Sequence, residues 1–249
     1  MSPSSPSDER MLSMSKKGVI SMNVREYLSV RRAYALVRQG MPYADRLTFE
    51  ELAILCHLSN ASSPLRTSEV AEYQGVLRPT MTHRTSHLAR LGLIERTSGE
   101  RDRRSVCCAL SQEGRLRLDS ALLDMCASIK PGMPLSRCTP DRMRRVVDTM
   151  GSVTLSSADL VLLGLATYGE GEGLAVCELV DKLGLLQPTV SMAVASLCDS
   201  GLALRASAGN AAGRGPLVAA TEKGSVRISE ASEHINSLHV HTPRKRRDD

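Results

Sequence analysis

The sequence is poor in aromatic side chains and has no long apolar run. Aromatic residues make up 2% of its 249 residues, with no tryptophan and one phenylalanine, which argues against a stacking platform for single-stranded nucleic acid. No stretch approaches the roughly 18 apolar residues that a membrane helix needs. The N-terminal segment MSPSSPSDER has no apolar core of a secretion signal. We therefore expect a cytoplasmic protein that does not contact a membrane.

Metal and catalytic signatures are also missing. The seven cysteines are odd in number and scattered, without a Cys-x-x-Cys pair or a Cys/His set at zinc spacing. We expect free, buried thiols, although Cys107 and Cys108 lie near arginines and strand alternation would leave at most one of them exposed. No nucleophile, base and acid can be grouped, and the glutamates of GEGEG at 169–173 would repel a phosphate. These features predict a protein that is not an enzyme and binds no metal or cofactor.

Charge is distributed unevenly along the chain. Residues 21–150 hold 20 Lys and Arg against 14 Asp and Glu, a net charge of +6, whereas residues 151–240 hold 5 against 9, a net charge of −4. A basic part beside an acidic part indicates a polyanionic partner for the first part only. The final segment TPRKRRDD is expected to add nonspecific electrostatic attraction.

The sequence contains an internal repeat of about 30 residues. Residues 67–96 align without gaps on residues 176–205, and the shared positions include Gly75 with Gly184 and Pro79 with Pro188. Each glycine suits a sharp turn after a helix, and each proline suits the first turn of the next helix. Each copy predicts two helices, a tight turn, a third helix, a two-stranded hairpin and a long closing helix. This is a helix-turn-helix pattern followed by a wing.

The predicted fold is mostly α with small β-hairpin wings, in two tandem winged helix-turn-helix domains that share a helical interface. Residues 23–40, 111–130 and 139–151 form helices whose apolar faces a lone winged helix could not cover, so they belong to an interface between the copies or between two chains. The expected divisions are a disordered lead-in at 1–20, the main DNA reader at 21–130, a linker with a connecting helix at 131–154, a degenerate winged helix at 155–239 and a basic tail at 240–249.

The helix from Arg78 to Leu91 is the candidate reader of duplex DNA. Solvated helix faces normally mix charges, but the outer face of this helix has hydrogen-bonding and cationic side chains without a carboxylate. This pattern favours contact with phosphates and base edges over a merely polar face. The predicted contact residues on this helix are Arg78, Thr80, Thr82, His83, Ser86, His87 and Arg90.

The segment GERDRRSVCCAL at 99–110 forms the predicted wing. A hairpin between Glu95 and Leu110 places Arg101, Arg103 and Arg104 at its tip, close to the DNA backbone or minor groove. Asp102 would accept hydrogen bonds from a neighbouring arginine and fix its direction. The alternative is a solvated, charged turn without a partner.

The second copy keeps little of this chemistry. Its third helix begins QPTVSMAVASLCDS and has no basic side chain, and its predicted wing keeps only Arg214. The side chains of Gln187, Thr189 and Ser191 could still hydrogen-bond to bases, but few counterions would be released on binding. This copy therefore either reads a half-site weakly or serves as a partner-binding or structural half.

Residues 23–130 resemble the MarR family of winged-helix transcription regulators. The resemblance is carried by Asp102 and Arg104 in the wing, by Leu110, Ser111 and Gly114 after it, and by the reading helix RPTMTHRTSHLARLGLI. It departs from the family where His83 replaces a common arginine and Arg84 a common leucine; the stem of Arg84 is expected to pack while its head reaches water.

The resemblance implies operator binding by a two-fold dimer, usually repression, and release by a small aromatic ligand between the helical interface and the reading domain. We therefore predict a transcriptional repressor that binds sequence-specific double-stranded DNA. The alternative is an interaction module whose acidic second copy binds a protein partner. Both a monomeric pseudo-dimer and a homodimer stay open.

Overall fold

In the computed structural model, residues 19–98, 106–206 and 216–241 are described, and they are mostly helical with three small antiparallel sheets. The elements follow one another as β1 (Val19–Ser21), α1 (Val24–Gly40), α2 (Phe49–Asn60), β2 (Leu65–Arg66), α3 (Thr67–Gln74), α4 (Arg78–Arg90), β3 (Ile94–Ser98), β4 (Val106–Leu110), α5 (Gln112–Ser128), α6 (Pro140–Met150), α7 (Ser157–Tyr168), β5 (Leu174–Ala175), α8 (Val176–Leu183), α9 (Gln187–Asp199), β6 (Ala203–Ala206), β7 (Leu217–Ala220), α10 (Glu222–Asn236) and β8 (His239–His241). Among these residues, no helix is both long enough and apolar enough to cross a membrane.

The elements of the N-terminal half, α2 to α5, recur in the same order in the C-terminal half, α7 to α10. The three-stranded sheet of the N-terminal half has the strand order β2-β4-β3, and that of the C-terminal half has the order β5-β7-β6. The central strands β4 and β7 are therefore flanked in the same way. The sequence predicted only the hairpin strands, since two-residue strands such as β2 and β5 are too short to show an alternation.

Helices α2 and α7 begin with the same capping arrangement. The Thr48 hydroxyl accepts from the Glu51 amide at 3.2 Å, and the Glu51 carboxylate accepts from the Thr48 amide at 2.8 Å. Ser156 and Asp159 form the same reciprocal pair at 3.2 and 3.0 Å. Each box satisfies two amides that would otherwise lack a partner at the start of the helix.

The tight turns also follow from the sequence. Gly75 and Gly184 cap α3 and α8 with φ of 61° and 66°, in the left-handed region that residues with a side chain rarely adopt. Pro79 and Pro188 stand in the first turns of α4 and α9. The predicted helix, turn and helix are present at both positions.

In both halves, the same set of contacts joins the three-stranded sheet to the long helix that follows it. The Ser111 hydroxyl caps α5 through the Gly114 amide at 2.9 Å and donates to the Gly92 carbonyl at 2.6 Å. A Cβ on Gly114 would overlap the Leu93 carbonyl oxygen, so the helix can approach this closely only with glycine. The same contacts recur between Thr221 and Gly201, and between Gly224 and the Leu202 carbonyl.

Helix α1 packs across the junction of the two halves. It contacts α5 of its own half and also α7, α8 and α10. Its Gln39 amide nitrogen donates to the Gly184 carbonyl at 2.6 Å, and Arg32 Nε donates to the Asp181 carbonyl at 3.0 Å. The first turn glycine has open space beside it, whereas Gly184 is buried against α1.

Helix α6 makes the reciprocal crossing. Although it leads into the C-terminal half, it packs on α2 and α5. The Asp148 carboxylate lies 2.9 Å from His57 Nδ1 and accepts from Asn60 at 2.7 Å. The Tyr73 hydroxyl donates to the Asp148 carbonyl, and the rings of His57 and Tyr73 stack with centroids 3.8 Å apart. Helix α6 therefore packs mainly on the N-terminal half, which it follows.

Strands β1 and β8 extend into the segments predicted as a lead-in and a tail, so both predicted boundaries are wrong. Strand β1 pairs antiparallel with β8, with Ile20 opposite Val240. Residues 19–20 and 240–241 thus belong to a sheet, although the sequence placed them in a disordered lead-in and a basic tail. Three-residue strands far apart in sequence give no local periodicity, so only the folded arrangement reveals the pair.

The seven cysteines are free, as expected, but the expectation that they are buried is correct only for Cys56, Cys108 and Cys138; Cys177 is exposed, and the other three are half-buried. Cys108 is buried and Cys107 is half-exposed on neighbouring positions of β4, as strand alternation predicts. Burial raises the pKa of the Cys108 thiol, which lowers its reactivity. Among the described residues, no group of three or more potential ligands is arranged to hold a metal ion.

Candidate nucleic-acid interface

Helix α4 is anchored by one buried stripe and presents the opposite face to solvent. Met81, Thr85 and Leu88 are fully buried, and the 3.6-residue period turns the predicted contact residues outward. Six of those seven side chains are exposed: Arg78, Thr80, Thr82, His83, Ser86 and Arg90. Among the described residues, Arg78 and Arg90 have no ion-pair partner, so their charges are available to an anionic ligand.

His87 departs from the predicted outward face. Its side chain is 23% exposed, and Nδ1 lies 2.6 Å from the Glu51 carboxylate, whose side chain is 6% exposed. The same carboxylate caps α2, so His87 fixes α4 against α2. The helical wheel places His87 at the edge of the polar face, and the wheel alone does not show which neighbour lies beside that edge.

Arg84 ties α4 to the two helices before it. Arg84 Nη1 donates to Gln74 Oε1 at 2.6 Å, and Gln74 Nε2 donates to the Glu50 carbonyl at 2.8 Å. Gln74 is 2% exposed, and a buried amide needs such partners. Arg84 is half-buried, and its guanidinium is bonded to this buried amide, whereas the sequence placed it in water. Gln74 was missed because a single polar residue at the end of a helix carries no distinctive signal.

Arg96 links the wing to the reading helix and was also missed. It stands on β3, and its Nη1 donates to the Ser86 hydroxyl at 2.7 Å. This bond places a guanidinium between the exposed face of α4 and the hairpin. The register of β3 on β4, with Arg96 opposite Cys108, directs it there.

The wing tips lie outside the described residues. The hairpin is described as far as Ser98 and Val106, which pair with each other. The predicted contacts Arg101, Asp102, Arg103 and Arg104 fall within residues 99–105, and Arg214 falls within residues 207–215. Their part in the interface therefore stays a prediction.

The corresponding face of α9 has a different chemistry. Gln187 is exposed, whereas Thr189 and Ser191 are half-buried. Met192, at the position that matches His83, is 74% exposed, and Asp199 stands where α4 has Arg90. This face offers no cation to a phosphate, and α1 covers the turn that precedes it.

Comparison with known proteins identifies one segment. Residues 47–106 match the profile of the MarR family. This segment is a MarR family domain. It runs from the residue before the α2 cap to the first residue of β4, and spans 60 of the 249 residues. A search of curated proteins finds no match to the chain.

Solved structures of related proteins match the chain in part. The YusO protein from Bacillus subtilis is 25% identical with a TM-score of 0.33, covering 41% of this chain and 67% of that one. AbsC, a MarR family transcriptional regulator from Streptomyces coelicolor, is 20% identical with a TM-score of 0.37, covering 51% and 82%. BpsR from Bordetella bronchiseptica, whose DNA binding is regulated by 6-hydroxynicotinic acid, is 21% identical with a TM-score of 0.35, covering 44% and 79%. The similarity to the MarR family is shown for residues 47–106.

Proposed function

We propose that this protein is a sequence-specific, duplex-DNA-binding transcriptional repressor with two winged helix-turn-helix units in one chain. The observation that carries the proposal is the exposed face of α4, which presents cations and neutral hydrogen-bonding groups and no carboxylate. This combination suits phosphates at the edges of a groove and base edges at its floor. The MarR family match covers this helix.

The dimensions of α4 suit the major groove. Its 13 residues extend about 20 Å at 1.5 Å per residue, and the groove, at about 12 Å wide, admits a helix. Arg78 and Arg90 lie at its two ends, where they would meet phosphates on opposite sides of the groove. Thr82 and His83 lie between them and would read bases, and Ser86 is oriented by Arg96. The wing arginines would then reach the backbone or minor groove.

The C-terminal half is proposed to be a degenerate unit that contributes little to DNA affinity. Its α9 face lacks cations and includes the exposed Met192, so it would release few counterions from DNA. Because this half packs on α1, we propose that its role is structural and that it helps to position the unit that contains α4. The alternative proposal, that this half binds a protein partner, is favoured by the net charge of −4 over residues 151–240.

Selection from a random duplex library, using the full chain, tests the proposal. We expect one enriched sequence, and its affinity should fall steeply with salt. Each neutralised phosphate contributes about −0.9 to the slope of the logarithm of the association constant against the logarithm of the salt concentration. A scrambled duplex of equal length should bind at least roughly 10³-fold more weakly. A pool without enrichment, and equal affinity for both duplexes, would remove the DNA-binding proposal and leave the protein-partner alternative.

A cavity at the junction of the halves is proposed to bind a small aromatic effector. Its volume is about 290 Å³, and it lies between α1, the start of α2, α7 and the turn that leads into α9. The rings of Tyr34 and Phe49 meet edge to face at 5.7 Å, and Arg31 stacks on Phe49 at 4.3 Å. Arg38 and Thr189 complete opposite sides. Arg31 is already paired with the Glu50 carboxylate at 3.4 Å. Arg38 and Arg46 also line the cavity and are in no ion pair among the described residues, so they and the aromatic walls suit an aromatic carboxylate.

Filling this cavity provides a test of the effector proposal. Ala35 lines it from α1, and Ala35→Trp would occupy the space without removing a charge. We expect 6-hydroxynicotinic acid or benzoate to weaken duplex binding by the wild-type chain at least fivefold and to have no effect on the variant. The matched control is Ala127→Trp, at an exposed position of α5. If the variant and its control respond equally to the acid, the effector does not bind in this cavity.

A further inference from the structure

A larger cavity lies on the other side of the contact between α1 and α8. Its volume is about 560 Å³, within the usual range for ligand sites. The walls are α1, the segment that follows α5, the end of α7 with the loop after it, and the end of α8. Both halves of the chain therefore contribute to it. Nothing in the proposed DNA-binding mechanism uses these residues.

Four cationic side chains line this cavity from three directions. Arg25 and Arg32 are seven residues apart on α1 and so share one face of that helix. Lys130 comes from the segment after α5 and Lys182 from α8. Among the described residues, none of the four is in an ion pair. Arg32 uses its Nε for the Asp181 carbonyl at 3.0 Å, which fixes the direction of its guanidinium.

Tyr168 adds a hydrogen-bonding group to the same cavity. It is half-buried at the end of α7, and Lys182 Nζ lies 5.5 Å from the centre of its ring. Burial raises the pKa of the Tyr168 phenol, while Arg25 and Arg32 oppose that rise through their charges. Arg25, Arg32 and Tyr168 all line this cavity. The hydroxyl stays protonated at neutral pH and can donate to an oxyanion.

Two carboxylates also line the cavity, Glu170 and Asp181. Against four cations they leave an excess of two positive charges. Glu170 has a φ of 47°, an uncommon conformation for a residue other than glycine. A ligand with two negative charges would balance the excess, whereas a neutral or cationic ligand would leave it or increase it.

We propose that this cavity binds a small anion with at least two negative charges, of the phosphate or carboxylate class, between the two halves of the chain. Arg25, Arg32, Lys130 and Lys182 supply the charge, and the Tyr168 hydroxyl adds a neutral donor. Charge-assisted hydrogen bonds of this kind are short and strong. Bound there, the anion joins α1 to α7 and α8, and its stabilisation of the folded chain rises with the logarithm of the anion concentration above the dissociation constant.

A contact with duplex DNA is a different use of the same charges, and the geometry disfavours it. The wing strand β4 is followed at once by α5, whose 17 residues extend about 25 Å. The cavity uses Ser128 and the residues after it, at the end of α5 remote from the wing. A duplex on α4 and the wing would therefore lie away from this cavity.

Calorimetric titration of the full chain with pyrophosphate, and separately with citrate, tests the proposal. The variant combines Arg25→Gln with Lys130→Gln, since both side chains are exposed and their loss should leave the fold intact. Arg137→Gln, an exposed position outside the cavity, is the matched control. We expect one anion per chain, at least tenfold weaker binding by the double variant, and binding by the control within twofold of wild type.

A third variant, Glu170→Gln, removes a negative charge and should strengthen binding of the same anion. Preference for pyrophosphate would assign a phosphate ligand, and preference for citrate a carboxylate ligand. The proposal is overturned if neither anion binds, or if the double variant and the control bind equally. It is also overturned if the selected duplex displaces the anion and the double variant loses duplex affinity, because the cavity would then belong to the DNA interface.

Discussion

Replacing Arg78 and Arg90 together with glutamate is expected to weaken duplex binding by roughly a hundredfold or more at physiological salt. The change removes two cations that would neutralise phosphates and puts two anions in their place. Both side chains are exposed and form no ion pair among the described residues, so folding should be unaffected. Fluorescence anisotropy with the selected duplex, at several salt concentrations, measures the affinity and its salt slope.

The C-terminal half supplies the control for this experiment. Gln187 matches Arg78 by the repeat, and the residue that matches Arg90 is already acidic, Asp199. Gln187→Glu thus gives α9 the same acidic ends. We expect it to change the affinity by less than about threefold, because this half releases few counterions. An Arg78 and Arg90 variant with unchanged affinity and salt slope would show that α4 does not meet the phosphates.

Local features of the fold could be predicted from sequence because each has a local physical cause. A glycine at the end of a helix can adopt positive φ, as at Gly75 and Gly184. A hydroxyl three residues before a carboxylate makes a capping box, as at Thr48 and Ser156. Repetition of such signals at a constant shift also predicted the order of elements in the second half.

Features that depend on distant contacts could not be predicted. The pairing of β1 with β8 joins residues 19–21 to residues 239–241, and neither strand is long enough to show a period. At the candidate interface, the pattern predicted the exposed face of α4 but not the Glu51 carboxylate beside His87. Arg96 was missed because its role depends on a hydrogen bond to Ser86, and the two residues are adjacent only in the folded protein.

The crossing of α1 and α6 belongs to the same class of distant contacts and has an energetic consequence. Each of the two helices packs against the half that it does not introduce. Burial of an apolar helix face contributes most of the stability of a short helix, so each half lacks part of its core when the other is absent. The linked halves therefore depend on each other for folding, and a disturbance at α6 should reach the reading unit.

Gly151→Ala is expected to lower the free energy of unfolding by about 2–3 kcal/mol. Gly151 caps α6 where it meets α2 and α3, and a Cβ there would overlap the Tyr73 hydroxyl and come within 2.6 Å of Ala53 Cβ. The Ala53 methyl group is fixed to the backbone of α2, so α2 or α6 must shift to relieve that overlap. Urea unfolding followed by circular dichroism measures the change.

Gly40→Ala is the matched control, because Gly40 ends α1 and a Cβ there would meet nothing within 4 Å. Alanine in a helix is more favourable than glycine, so we expect no loss and a gain of up to about 1 kcal/mol. Equal stability of the two variants would contradict the docking of α6 on the N-terminal half. Since Ala53 and Tyr73 belong to the helices that hold α4, a displaced α6 should also weaken duplex binding, although no residue near Gly151 faces the DNA.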